Sequence, residues 1–273
     1  MNNAVKAVAG LGFLITLTSG TLCASTLTDT NWISRAYQEL LARSASPTDI
    51  DNTLTALGMG ASRISILSTI LDGAEYRSDL VGGFYQSYLN RNASAGEVNL
   101  FLAGFVRDEI TQSAIIGSLE YFQLYLSDDA AFVGAIYNDL LNRPAQPADL
   151  SSGLSLLHSL TRSQLALTLL DSAESHTLEV NGYFQRFLGR APGAEGAFFV
   201  SELQSSATQE QVIAQILNSE EYYSNSQRLA ASTPEPATGV IFAVGLMLIA
   251  LSRAVRCYFS REISAYFAFT ART

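Results

Sequence analysis

The chain has 273 residues, 48% of them hydrophobic and 15% charged, with a formal net charge of −9. Residues 25–233 carry 23 acidic residues against 11 arginines and no lysine, which argues against nucleic acid or anionic headgroups as the main partner, because both need a basic footprint. The only cysteines, Cys23 and Cys257, flank that span, so it has no disulfide of its own and holds together by burial, for which about 200 residues are ample.

The N-terminus has the three parts of a secretory signal peptide: Lys6 as the positive region, an apolar run over residues 7–17, and small residues around Ala24. Residues 1–24 are therefore read as a leader cut near Ala24. Leu22 precedes Cys23 where lipidation needs a small residue, which argues against a lipoprotein.

From residue 25 to 226 the chain repeats itself. An aromatic residue (Tyr37, Tyr85, Tyr137, Phe184) precedes an apolar pair and a closing arginine (Arg43, Arg91, Arg143, Arg190), and the arginines fall 48, 52 and 47 residues apart. The spacing predicts a helix with one apolar face, extended one turn back by Ile33, Val81, Val133 or Val180. The arginine ends it, where a cation complements the macrodipole. Turn formers and an early acid follow: Ser46-Pro47 with Asp49, Ser94 with Glu97, Gln146-Pro147 with Asp149, Pro192-Gly193 with Glu195. These predict second helices over 48–57, 95–106, 147–159 and 193–205. Third helices are expected to start at Ser62, Thr111, Thr161 and Thr208, the last two with Gln164 and Gln211 at capping-box spacing. Each copy closes on an acid, Glu75, Glu120, Glu174 or Glu221. The expected fold is all-α: four tandem three-helix modules of about 50 residues, as a helical repeat or bundle that stacks to bury a continuous core. The recurring arginine and closing acid suggest a half-buried pair pinning third helix to first, with Arg162 as a surface-facing residue by contrast.

These copies resemble the bacterial repeat family catalogued as domain of unknown function 4214, itself reminiscent of phycobilisome linker domains. The shared pattern is an aromatic, a Leu-Leu-like pair, an arginine, a turn, a helix and a Ser-x-Glu-aromatic close. Phe184 to Arg190 with Gly196, closing on Ser219, Glu221 and Tyr222, follows it best. The first three copies have Asp49, Glu97 and Asp149 at the glycine position, and none has the family's Trp on the second helix. The resemblance implies no assigned activity.

Residues 227–233 are read as a linker. Pro234-Glu235-Pro236, an apolar run over 237–252, and Arg253 and Arg256 follow. As a helix the run measures about 24 Å against a hydrocarbon core of about 30 Å, and arginines can snorkel at its end. Together the three parts, within residues 234–257, resemble the PEP-CTERM sorting segment of Gram-negative bacteria. That resemblance implies a transmembrane helix, an exosortase-like processing enzyme as partner, cleavage near 234–236, and delivery to the cell surface or extracellular matrix. The chain runs on through an aromatic extension, 258–273, where such signals usually stop.

Chemistry-bearing constellations are sparse. His158 and His176 have no Cys, His or carboxylate at metal-ligand spacing, and His176 reads as part of a polar loop. Asp128-Asp129 and Asp49 with Asp51 lack the further oxygen ligands and the glycine turn of a calcium loop and read as helix-start acids. Acids recurring once per module argue for structure, since a catalytic pair is needed once. The expectation is no catalytic residue, cofactor or metal: a non-catalytic surface or matrix protein, with extracellular polysaccharide as partner on the strength of the sorting resemblance alone. A polysaccharide-modifying hydrolase and a self-assembling adhesin are the alternatives.

Overall fold

A computed structural model of the chain describes residues 15–103 and 107–232, and among them the chain is all-α, with fourteen α-helices and no strand. The described residues up to 227 form one compact unit; of the second, 228–273, only residues 228–232 are described. The PEP-CTERM-like segment with its apolar run at 237–252, and the extension 258–273, lie outside the described residues. Among the described residues no helix is long and apolar enough to cross a membrane.

Helices α1 (Ile15–Leu41), α2 (Pro47–Gly58) and α3 (Arg63–Leu71) lead into α4 (Ala74–Leu89), α5 (Ala95–Leu102) and α6 (Asp108–Ile116). Next come α7 (Leu119–Leu124), α8 (Asp129–Leu141), α9 (Pro147–Leu156) and α10 (Arg162–Leu170). α11 (Ala173–Tyr183) runs straight into a π-helical turn, Phe184–Leu188, before α12 (Glu195–Ser205), α13 (Gln209–Leu217) and α14 (Glu220–Ser232). Local chemistry sets many of these bounds. Ser46 with Asp49, Ser94 with Glu97, Thr161 with Gln164 and Thr208 with Gln211 close capping boxes, satisfying free N–H groups at the helix start. Pro47 and Pro147 stand at first helical positions. Ala42, Asn90, Asn142 and Gly189 take left-handed φ angles of 50 to 71°, reversing the chain before each closing arginine.

Several expected bounds move. α6 begins at Asp108 rather than Thr111, which lies buried within it. α5 and α9 stop at Leu102 and Leu156, short of the expected ends. The closing acids do not finish the third helices. Glu75, Glu174 and Glu221 stand in the first turns of α4, α11 and α14, so each copy opens the next long helix. Only after Glu120 is that helix broken, where Leu126 and Ser127 take φ of 59 and 56° between α7 and α8. α14 runs on to Ser232, across most of the stretch read as linker.

The core is not continuous. One cluster unites Trp32, Ile33, Leu67 and Leu71 from the start of the chain with Val180, Phe184, Val212 and Leu217 from its end. A second unites Val81, Ile116, Tyr121, Phe132, Ile136 and Leu165 from the middle. α3 therefore packs on α13 and α6 on α10, and copies pair first with fourth and second with third instead of stacking in sequence. The ends are stitched together: Trp32 Nε1 donates to the Leu217 carbonyl (3.5 Å), and Arg35 lies 4.3 Å over the Tyr222 ring. Arg35 also donates to the Phe187 carbonyl at 2.7 Å, while Arg186 donates to the Glu39 carbonyl. The Arg35 bond uses the Phe187 carbonyl of the π turn, where the regular i to i−4 ladder is interrupted.

Candidate functional site

The four closing arginines build the same constellation. Arg143 donates from Nε and Nη2 to the two carboxylate oxygens of Glu174 (2.6 and 3.1 Å) and from Nη1 to Asp149 (2.7 Å). Arg43 does so with Glu75 and Asp49, Arg91 with Glu120 and Glu97, Arg190 with Glu221 and Glu195. A ring six residues upstream, Tyr37, Tyr85, Tyr137 or Phe184, lies 4.9 to 5.1 Å below each guanidinium. Each clamp joins the negative end of one long helix to the positive ends of two others, so every charge complements a dipole. The arginine forks hold Glu75, Glu120, Glu174 and Glu221 below their ordinary pKa. Asp49 and Glu97, held first by Arg43 and Arg91 and then by Ser46 and Ser94, are lowered to about 2.

One feature differs from the sequence reading. The acid belongs to the following long helix, so the contact ties first helix to first helix. The four arginines are half buried, as expected, with 33 to 40% of each side chain exposed, while Glu75, Glu120 and Glu174 stand at the surface at 45 to 48%. In the fourth copy the acid sits one position earlier, at Glu195, because position six past the arginine is Gly196, whose added Cβ would come within 2.9 Å of Pro192. With Nε, Nη1 and Nη2 engaged on two carboxylates and on the carbonyls of Ser44, Asn92, Pro144 and Ala191, the guanidinium forks are committed internally.

A second cluster lies where the N-termini of α6 and α13 meet. Asp108, Glu109, Gln209 and Glu210 occupy the first turns of these helices and are all buried. Helix N-termini favour carboxylates as anions, but burial wins here. It pushes Asp108 up to about 8, aided by the Glu210 carboxyl that shares a hydrogen bond with it. Glu179 of α11 is likewise pushed up to about 8 by burial and by Glu109, whose own carboxyl is raised by burial. Gln209 Nε2 bridges two of these acids, donating to Glu179 Oε1 at 3.0 Å and to Glu109 Oε1 at 3.5 Å. Arg107, just before α6, donates to Asp171 at 2.7 Å and comes within 3.7 Å of Glu109 Oε2. Beside it opens a cleft of about 190 Å³ lined by Ser68, Asp72, Arg77, Arg107, Thr208 and Glu210.

The histidine reading is corrected in part. His158 is exposed, with Nδ1 2.9 Å from the Leu154 carbonyl. His176 is not in a loop: it lies in α11, 2% exposed, and burial lowers its pKa. Glu109, Asp171 and His176 each offer a ligand atom, and these atoms lie within 4.8 Å of one another. Sequence spacing missed the group because its members come from residues 109 to 176. One signal was available: after the third-helix start, two copies carry Asp108-Glu109 and Gln209-Glu210 where the others carry Arg63 and Arg162. Asp128 caps α8 through the Ala131 N–H at 2.8 Å. Pro234, Glu235, Pro236, Arg253 and Arg256 lie outside the described residues.

No curated protein and no solved structure matches the chain. Residues 112–179, from within α6 to within α11 and so spanning the whole Arg143, Asp149 and Glu174 clamp, match the model of a family described as Domain of unknown function (DUF4214).

Proposed function

We propose that this is an exported, non-catalytic structural or interaction protein, built from four tandem helical modules and sorted to the cell surface or extracellular matrix by its PEP-CTERM-like tail. The observation that carries the structural half is the clamp. The same arginine, ring and two carboxylates recur once per copy, with each fork spent on internal partners. That supports a device for holding helix ends in fixed geometry. The lysine-poor acidic span 25–233 then offers a partner shape and negative charge; extracellular polysaccharide is the partner the sorting resemblance favours. An exosortase-like enzyme processes the tail, which anchors the chain in the membrane until then.

A hydrolytic reading draws on one observation, the raised carboxyl of Asp108 beside the cleft lined by Glu210. It is the weaker reading. The two carboxyls share a hydrogen bond, whereas a glycosidic pair stands about 5 Å or more apart to flank the bond it cleaves.

Cell fractionation tests the sorting reading. A chain ending at Ser232 is expected in the medium, with the full chain surface-bound and shortened at its C-terminus. Surface-bound protein that keeps Thr273 would refute the processing step.

A further inference from the structure

The geometry points to a divalent metal site of the zinc class formed by His176, Glu109 and Asp171, independent of the sorting and scaffold reading. The three side chains come from different elements: Glu109 from the first turn of α6, Asp171 from the C-cap of α10, His176 from α11. Their ligand atoms already lie within 4.8 Å of one another. Tetrahedral zinc with bonds of about 2 Å needs them about 3.3 Å apart, a contraction within reach of side-chain rotation.

Two unpartnered atoms belong to this cluster. His176 Nδ1 and Glu109 Oε2 are both buried without a hydrogen-bond partner, on side chains 2 and 3% exposed. A buried acceptor left unpaired is costly, and a cation drawing on both lone pairs removes both costs at once. Glu109 Oε1 meanwhile accepts from Gln209 Nε2 at 3.5 Å, the kind of outer contact that orients a ligating carboxylate. One imidazole and two carboxylates suit zinc; calcium takes six to eight oxygens. The way in is from the surface, because Asp171 and Arg107 are 40 and 39% exposed.

Arg107 is the competing cation. It donates to Asp171 and faces Glu109, so metal entry exchanges the guanidinium for the ion. This separates a metal site from a purely structural ion pair. If the pair is all there is, removing Arg107 loosens the fold and gains nothing; if the site binds metal, removing it raises affinity.

The test is zinc titration of the purified full-length protein after EDTA treatment, followed by calorimetry, with cobalt absorption as a report on the ligand set. A single equivalent of zinc is expected. His176→Gln and Asp171→Asn should each weaken binding by about tenfold or more, Arg107→Ala should strengthen it, and the exposed His158→Gln should leave it unchanged. Because His176 is buried, Asp171→Asn at the exposed edge, checked by circular dichroism, keeps the outcome readable should His176→Gln fail to fold. Absence of stoichiometric zinc, or wild-type affinity in folded Asp171→Asn, overturns the proposal and leaves a buried water as the partner of both atoms.

Discussion

The guanidinium of Arg162 lies 3.4 Å from the centre of the Phe122 ring. Arg63 repeats this over Tyr223, at 3.7 Å. Each arginine is the first residue after a third-helix cap, and each ring lies two residues past a closing acid, Glu120 or Glu221. The second and third copies are thus joined in the way the fourth and first are.

That contact sets Arg162 apart from the surface-facing residue expected by contrast with the clamps. Arg162, expected at the surface, is as half-buried as Arg143, but it covers an aromatic face and buries its Nε, whereas the Arg143 fork bonds the exposed Glu174. Arg162→Ala should cost about 1 to 2 kcal/mol through lost cation–π contact and packing. Urea denaturation should show its midpoint falling further than that of Arg143→Ala. The opposite ranking would make the clamp the stronger tie.

The reversal before Arg43 is made by Ala42 at φ 50°, while the one before Arg190 uses Gly189 at φ 71°. A Cβ costs about 1 kcal/mol in this region, and nothing lies within 4 Å of a Cβ built on Gly189. Ala42→Gly should therefore stabilise the protein and Gly189→Ala destabilise it, each by about 1 kcal/mol. Thermal unfolding of the two variants gives the signs; shifts in the same direction would refute the account.

Asp108 and Glu179, raised to about 8 in the folded chain, have unfolded values near 4. Between those limits the folded state binds protons that the unfolded state has released. Their contribution to stability is thus full below about pH 4 and is lost as pH rises through about 8. Asp49 and Glu97, lowered to about 2, act oppositely: their contribution is present above about pH 4 and is lost as pH falls through about 2. Urea midpoints should be higher at pH 5 than at pH 9, and Asp108→Asn should flatten that decline. A midpoint that rises from pH 5 to pH 9 would show that the buried carboxyls are ionised in the folded chain.

Gly117, the C-cap of α6, lies hard against Ser163 of α10. A Cβ there would stand 2.5 and 2.6 Å from the backbone N and Cα of Ser163. Gly117→Ala should cost about 2 kcal/mol or more, whereas Gly134→Ala in α8, with open space around it, should gain up to about 1 kcal/mol from helix propensity. Differential scanning calorimetry separates the two, and a harmless Gly117→Ala would mean that the helices can move apart at little cost.

Much of the local structure was legible because it depends on residues within a few positions of one another. Ser46 and Asp49, or Thr208 and Gln211, cap a helix whatever surrounds it, and the apolar positions Ile33, Val81, Val133 and Val180 all went to the interior. The arginines and acids that recur in sequence meet in space. The arginines are half buried, as expected, but the exposure of Glu75, Glu120 and Glu174 was not legible, since spacing carries no information about depth.

Pairing was decided by tertiary structure alone. Four copies with alike apolar faces leave stacking in order and pairing first with fourth nearly degenerate in pattern. The choice rests on long-range contacts such as Trp32 with Leu217 and Arg162 with Phe122. The acidic centre follows from that choice: Glu109, Glu179 and Gln209 touch only because α6 and α13 bring their N-termini together. His176 shows the same limit, because its sequence neighbours Glu174, Ser175 and Thr177 are polar, and only the packing of α11 against α6 and α10 took it out of water.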